Sequence, residues 1–132
     1  AIVHGAWSED IREVNAPLLK RDIHEGEKIV TVDESGKASN TAFSLIKSTK
    51  AASFIEASPL TGRTHQIRVH CQYAGHPIVG DRKYTALQPN SLTHVKTLCL
   101  HAASIEFALE DGRKISVQAP LAEHMRQLLD SL

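Results

Sequence analysis

The feature that most constrains the fold is a short helical pattern near the middle of the chain, ended by a glycine and flanked by β-strand patterns. Three apolar residues of this stretch recur at i, i+4 and i+7, the spacing of one helix face: Ile67, Cys71 and Ala74. Gly75 follows as a helix stop. We therefore expect a helix over residues 64–74, with Thr61 or Thr64 as its N-cap.

Two segments before this helix have the character of β-strands. Residues 28–32 are apolar and β-branched and predict a strand, with Lys20 and Arg21 in the loop before it. Residues 39–58 predict a β-hairpin whose polar turn lies at residues 48–51. This hairpin leads directly into the helical pattern.

A second hairpin is predicted around Glu110-Asp111-Gly112. A two-residue loop would place Phe107 opposite Ser116, whereas a three-residue loop with Gly112 in the left-handed conformation places Phe107 opposite Ile115. We expect the three-residue loop and the two cross-strand pairs that follow from it: Phe107 with Ile115 and Ile105 with Val117.

The chain closes with an amphipathic helical pattern. Pro120 occupies a suitable first helical position. Five apolar residues then share one face: Leu121, Met125, Leu128, Leu129 and Leu132. Because β-α-β alternation and internal repeats are absent, the pattern predicts an α+β fold with a mixed, mainly antiparallel sheet and short flanking helices.

Charge is balanced overall but uneven along the chain. The 132 residues carry 15 Lys and Arg against 15 Asp and Glu, so a uniformly basic nucleic-acid-binding protein is excluded. Residues 58–84, however, hold four basic residues and one acidic residue. Any contact with nucleic acid must therefore come from a local patch.

Cysteine usage and hydropathy favour a cytoplasmic protein. Cys71 and Cys99 form no CxxC pair, as is typical of free thiols in a reducing compartment. Both lie among apolar residues, so we expect them to pack in the core rather than act as nucleophiles. No apolar run approaches the roughly 20 residues of a membrane span, and signal-peptide features are lacking, so we expect no membrane partner.

The segment before the helix carries the clearest chemical pattern. Residues 61–66 gather hydrogen-bond donors around a glycine at a helix start, which favours an anion such as phosphate, although an ordinary helix start has the same pattern. On the predicted helix Arg68 faces away from the apolar residues and is available to a carboxylate, with a solvated surface arginine as the alternative.

A metal site is not expected. His65 and His70 fall on different faces of the predicted helix, and no acidic partner lies near these two or His76.

One long segment resembles a known family. The stretch LTGRTHQIRVH at residues 60–70, with YAGHPI at 73–78 and GD at 80–81, closely resembles the signature of the RluA-type pseudouridine synthases. Three flanking segments extend the resemblance through the chain: NAPLLK at 15–20, LHAA at 100–103 and QAPL at 118–121. Within this family the chain is most similar to the RluC-type enzymes that act on large-subunit ribosomal RNA.

The resemblance implies isomerisation of uridine to pseudouridine in RNA, without cofactor or metal, after the target nucleotide is flipped into a cleft. In this family an aspartate of an HRLD-like motif attacks the target nucleotide, and the arginine of the HQIR segment pairs with that aspartate. This arginine corresponds to Arg68, and a nearby cation stabilises an ionised carboxylate. Ile67 is a candidate for the apolar wall of the uracil pocket, with core packing as an equal alternative.

The attacking aspartate itself has no counterpart, because the chain lacks an HRLD-like motif. Asp81 matches a structural position of the signature and Asp111 lies in the predicted hairpin turn, so neither replaces it. We expect residues 1–132 to be the C-terminal portion of one catalytic domain whose N-terminal part, with the aspartate, is missing, and to be inactive alone. A non-catalytic RNA-binding module with the same fold is the alternative.

RNA, most of all ribosomal RNA, and the N-terminal part of the same protein are the partners that we expect. Several polar and basic residues are suited to phosphate contact, although each could equally be an ordinary solvated side chain. These candidates are Arg63, Thr64, His65, Arg82, Lys83, Lys20 and Arg21. Such contacts position RNA and do not read its sequence.

Overall fold

A computed structural model of the protein describes residues 1–85 and 92–132. Its elements in chain order are β1 (Ile2–His4), β2 (Glu13–Asn15), β3 (Leu18–His24), β4 (Glu27–Val32), β5 (Asn40–Ser48), β6 (Ala52–Pro59), α1 (Gln66–Tyr73), β7 (Ser104–Ala108), β8 (Lys114–Gln118) and α2 (Glu123–Ser131). Within these ranges every strand pairing is antiparallel, and the α+β fold class is confirmed.

The largest sheet has four strands in the order β1-β6-β5-β2. Its centre is the hairpin of β5 and β6, which confirms the hairpin predicted over residues 39–58. The register shifts between Leu45 and Lys47, as at a β-bulge. Pairing with β1 on one side and β2 on the other leaves the hairpin inside the sheet.

A separate hairpin of β3 and β4 corrects one prediction. Lys20 and Arg21 lie in strand β3 and not in a loop, where they pair with Val30 and Ile29 of β4. Because several residues of β3 are polar, β-propensity alone does not predict a strand there. Main-chain pairing with β4 decides its conformation instead.

Helix α1 is shorter than predicted at its start, and both predicted N-caps are wrong. The N-cap is His65, which has φ 52° and makes no side-chain capping bond. The Thr61 hydroxyl instead donates to Gln66 Oε1 at 2.7 Å and accepts the Asn40 N–H at 3.1 Å. The helix ends just before Gly75, as predicted.

The second hairpin, formed by β7 and β8, has the predicted three-residue loop. Gly112 has φ 86°, the left-handed conformation that glycine adopts without steric cost, and the pairing places Phe107 opposite Ile115 and Ile105 opposite Val117. Three apolar side chains of this hairpin are exposed: Ile105 at 60%, Phe107 at 46% and Val117 at 49%.

The last helix, α2, begins three residues later than expected. Ala122 is its N-cap, so the prediction that Pro120 is the first helical residue is wrong. Pro120 belongs instead to the extended segment that joins β8 to the helix. The predicted apolar face is correct, and its members pack in or against the principal core: Leu121, Met125, Leu128, Leu129 and Leu132.

Helix α1 lies between two apolar clusters. Cys71 is part of the principal core, which the four-stranded sheet shares with Met125 of α2. Val69 belongs to a smaller cluster with residues of the β3–β4 hairpin and Tyr84. Cys71 and Cys99 are free and buried, as predicted, and burial raises the pKa of the Cys71 thiol to about 12.

Helices α1 and α2 both fall short of the length and apolar character that a bilayer crossing requires, and the described ranges contain no other α-helix.

Gly80 occupies a position that only glycine can fill. Its φ is 84°, and a Cβ atom there would lie 2.0 Å from the carbonyl oxygen of Thr97. Strand β1 holds this approach in place, because Ile2 donates to Cys99 and accepts from Val79 through its backbone. The glycine therefore fixes the path of the chain immediately before Asp81.

A buried polar chain joins α1 to the sheet. Gln66 Nε2 donates to Thr41 Oγ1 at 2.9 Å, so the Thr41 hydroxyl proton is directed to His70 Nδ1 at 2.8 Å. His70 Nε2 then donates to the Ala16 carbonyl at 2.9 Å. These contacts require a neutral imidazole, and burial lowers the pKa of His70 although the bond to Ala16 opposes that shift.

Replacing Gly80 by alanine is expected to lower the free energy of unfolding by on the order of 3 kcal/mol. The methyl group would clash with the backbone of Thr97, and alanine would have to adopt an unfavourable positive φ. Gly26→Ala is the matched control, since Gly26 has φ 71° but nothing within 4 Å of its Cβ position. That variant should lose only about 1 kcal/mol. Equal losses in urea denaturation would contradict the steric explanation.

The free energy of unfolding is also expected to fall as the pH drops below about 6.5, because unfolded chains bind a proton at His70 there and the folded protein does not. The loss levels off below the folded pKa. Urea denaturation followed by circular dichroism between about pH 7.5 and pH 5.5 measures it. His70→Gln should reduce this dependence and leave the part due to His65, whereas His24→Gln, at an exposed position, should not reduce it. An unchanged slope in His70→Gln would refute the assignment.

Candidate active site

The centre of the candidate site is an ion pair between α1 and the turn that follows it. Arg68 donates from Nε to Asp81 Oδ2 and from Nη2 to Asp81 Oδ1, both at 2.8 Å. The Asp81 side chain is fully buried, whereas 21% of the Arg68 side chain is exposed. The sequence predicts that Arg68 is available to a carboxylate. Within this chain Arg68 binds the carboxylate of Asp81.

Asp81 is held in its ionised form. Burial by itself would raise the pKa of Asp81, but hydrogen bonds from Arg68 and from the backbone N–H groups of Tyr84 and Lys83 outweigh it, and the pKa is lowered. Both backbone bonds end on Oδ1 at 3.0 Å. The hydrogen bonds that Arg68 donates to Asp81 also raise the pKa of the Arg68 guanidinium.

Tyr84 connects the ion pair to the loop before α1. The Arg68 Cζ atom lies 5.1 Å from the centre of the Tyr84 ring. The Tyr84 hydroxyl accepts the Val30 N–H at 3.0 Å and lies 2.7 Å from His65 Nδ1. With one hydroxyl lone pair already used, donation of the Tyr84 proton to His65 satisfies all of these groups, and it requires neutral His65 with its proton on Nε2.

His65 is the one described non-glycine residue with a positive φ. Burial, reinforced by the charges of Arg68 and Lys83, lowers the pKa of its imidazole. Gln66 fixes the loop on the other side of His65, because its Oε1 accepts from Thr61 Oγ1 and from the Arg63 N–H at 3.1 Å. The loop is therefore preorganised, and part of its backbone hydrogen-bonding capacity is already used.

Ile67, the candidate for the uracil pocket, is partly buried and packs against the principal core. Core packing, which was one of its two interpretations, is thus observed. Its role in base binding stays a prediction.

Five predicted RNA contacts line two surface cavities: Lys20, Arg63, Thr64, His65 and Lys83. Lys20, Arg63 and Thr64 line a cavity of about 480 Å³, together with Lys37, which sequence reasoning missed. Thr64 also lines a second cavity of about 430 Å³. The first cavity thus collects three cations from β3 and two loops that are distant in sequence.

The second cavity has mixed charge. His65, Lys83 and Lys28 line it, but so do Glu25 and Glu27. Lys83 Nζ donates to the Lys28 carbonyl at 2.6 Å and lies 3.7 Å from Glu27 Oε1. This cavity is consequently less suited to an anion than the first.

Two other predicted contacts lie apart from the larger cavity. Arg21 follows Lys20 in β3, points to the opposite face of the strand and pairs with Asp33 at 3.4 Å. Arg82 is exposed in the turn after Asp81. Neither residue lines the two cavities.

The three histidines of this region have separate partners. His65 pairs with Tyr84, His70 with Thr41 and Ala16, and His76 Nδ1 with the backbone oxygen of His4 at 2.8 Å. Within residues 1–85 and 92–132, no three His, Cys, Asp or Glu side chains are grouped to hold a metal ion.

The chain is similar in sequence to known proteins. A sequence model described as RNA pseudouridylate synthase matches residues 1–73. The chain is 45% identical over 136 residues to ribosomal large subunit pseudouridine synthase C of Pasteurella multocida and 41% identical over 138 residues to the protein of that name from Escherichia coli K12. Both alignments cover the whole chain but only 42% and 43% of those relatives, so the chain spans less than half of their length.

Solved structures show the same fold. Human RNA pseudouridylate synthase domain containing 1 matches with a TM-score of 0.77 at 22% identity, over 99% of this chain and 62% of that one. Human RNA pseudouridylate synthase domain containing 4 matches with a TM-score of 0.75 at 23% identity, over 98% of this chain and 59% of that one. With more than half of its residues matched by the family model, the chain belongs to the RNA pseudouridylate synthase family.

Proposed function

We propose that the full-length protein isomerises uridine to pseudouridine in RNA, with large-subunit ribosomal RNA as the substrate. The relatives that cover the whole chain at 41–45% identity carry the name of such an enzyme, which supports both the reaction and the substrate. The proposal assigns the attacking aspartate to a part of the protein outside these 132 residues. It therefore predicts that this chain is inactive alone.

The observation that carries the proposal is the state of Arg68. A guanidinium has five N–H donors, and two of them donate to Asp81. The partly exposed side chain retains donors for a second carboxylate from the segment outside this chain. Such a cation keeps an attacking carboxylate ionised and fixes its direction, and this chemistry requires neither cofactor nor metal.

The larger cavity supplies a surface for RNA. Lys20, Lys37 and Arg63 surround it, and the side chain of Thr64 adds a hydroxyl group. Cations around a concave surface suit the phosphodiester backbone, which determines affinity without reading sequence. We assign the first phosphate contacts to this cavity and secondary contacts to His65 and Lys83 of the second cavity. Arg21 and Arg82, which line neither cavity, have the weakest support as RNA contacts.

A non-catalytic RNA-binding module is the second candidate. It is favoured by one observation, namely that the basic residues around the larger cavity all belong to these 132 residues. The two candidates differ in one outcome. Pseudouridine formation by the full-length protein supports the enzyme, and RNA binding without it supports the module.

Arg68→Ala in the full-length protein is expected to slow pseudouridine formation by at least about 100-fold while RNA affinity stays within a factor of about two, because the lost donors act on the attacking carboxylate. Arg68→Lys should also fail, since an ammonium cannot bind two carboxylates with the planar fork geometry of arginine. The rate is measured as the release of tritium from ribosomal RNA that contains tritium-labelled uridine. Arg113→Ala is the matched control, because Arg113 also pairs with an aspartate but in an exposed turn. Normal turnover by Arg68→Ala would exclude this role.

Lys20→Ala and Arg63→Ala are each expected to weaken RNA binding and to reduce the slope of log Kd against log salt concentration by about 1. Filter binding at several salt concentrations gives both quantities. Arg21→Ala, which removes the neighbouring cation on the other face of β3, should have a smaller effect. An Arg21→Ala effect as large as that of Lys20→Ala would place the RNA on the other face of the hairpin.

A further inference from the structure

The Arg68–Asp81 pair is asymmetric in how its two members are held. Asp81 receives two bonds from its own turn, from the N–H groups of Lys83 and Tyr84. The close packing of Gly80 on Thr97 fixes the backbone on the other side of Asp81. The carboxylate is thus anchored without help from Arg68.

Arg68, by contrast, reaches its position through a long flexible side chain. Its Nε–Nη2 edge is bound to Asp81, and the Tyr84 ring lies 5.1 Å from its Cζ atom. Two bonds to a fixed carboxylate determine both the plane of the guanidinium and the direction of its remaining edge. Without Asp81, side-chain rotation would spread the remaining donors over many directions.

We propose that Asp81 is a positioning residue: it holds the guanidinium of Arg68 so that its Nη1 edge, which makes no hydrogen bond within residues 1–85 and 92–132, points at the attacking carboxylate. This inference rests on the proposed function. It gives Asp81 a part in the reaction beyond the structural position of the signature to which it corresponds.

The contact between Tyr84 and His65 also helps to hold the Arg68 guanidinium in place. Tyr84 lies beside the guanidinium, and its hydroxyl is fixed by the Val30 N–H and by His65 Nδ1. The strained backbone of His65, with φ 52°, is retained where its ring meets Tyr84. Arg68 is therefore bound at one edge by Asp81 and limited on one face by Tyr84, and the part of the chain that the structure describes makes no hydrogen bond to its other edge.

The test uses the full-length protein with a ribosomal RNA fragment under single-turnover conditions. Asp81→Asn keeps an oxygen that can accept from the N–H groups of Lys83 and Tyr84. It replaces the other carboxylate oxygen, which accepts from Arg68 Nε, by an NH₂ group that cannot accept. We expect the rate to fall about 10- to 100-fold, as for a misplacement of about 1 Å, with the Kd for RNA unchanged. Asp111→Asn, which removes the equivalent carboxylate of the exposed Arg113 pair, is the matched control and should keep the wild-type rate.

A double-mutant cycle separates positioning from a general structural role. If Asp81 acts through Arg68, then Asp81→Asn has no further effect on the rate in an Arg68→Ala background. Independent, multiplicative losses, or a wild-type rate in Asp81→Asn, would overturn the proposal. Absence of activity in the wild-type protein would instead refute the proposed function itself.

A second variant covers the case in which Asp81→Asn does not fold. Asp81→Glu keeps the charge and the ion pair but moves the carboxylate by one methylene group. We expect its rate to fall while its Kd for RNA stays close to wild type, because the guanidinium is displaced but still paired. An unchanged rate in this variant would overturn the positioning role.

Discussion

The ion pair between Arg68 and Asp81 is the interaction on which the candidate site depends. A buried carboxylate without a partner costs several kcal/mol, and removing one member of such a pair typically costs about 3–5 kcal/mol. Loss of Arg68 would leave the charge of Asp81 buried without its cation, so the pair couples the position of helix α1 to the turn after Gly80. It also places the helix beside Tyr84, through which the β3–β4 hairpin joins the site.

The helix that carries Arg68 is oriented by a second set of buried polar groups. Gln66 bonds to the loop before the helix and to β5, and His70 bonds to the segment after β2. Because these partners lie on different elements, a rotation of the helix would break several buried hydrogen bonds at once. The apolar contacts of Val69 and Cys71 also oppose rotation of the helix. Helix α1 is therefore a rigid platform for the arginine.

Local chemistry decided which parts of the fold were predictable. The hairpin register at Phe107 followed from one left-handed glycine, because loop length and glycine position determine which residues face each other. Strand β3 and the start of α1 were not predictable, since Lys20 gains its partner from β4 and His65 adopts its conformation through Tyr84 and the bonds of Gln66. Arg68 was identified from the motif, whereas Asp81 looked structural because its partner lies 13 residues earlier in the sequence. Lys37 lines the larger cavity because of tertiary packing, which its sequence neighbours do not indicate.

The two buried thiols have a practical consequence for spectroscopy. Cys71 and Cys99 are enclosed in the core, and the raised pKa of Cys71, about 12, leaves almost no thiolate at neutral pH. Maleimide and iodoacetamide reagents need both access and thiolate. A cysteine introduced at an exposed position can therefore carry a fluorophore or spin label while both native cysteines remain in place, which preserves the packing of α1 beneath Arg68.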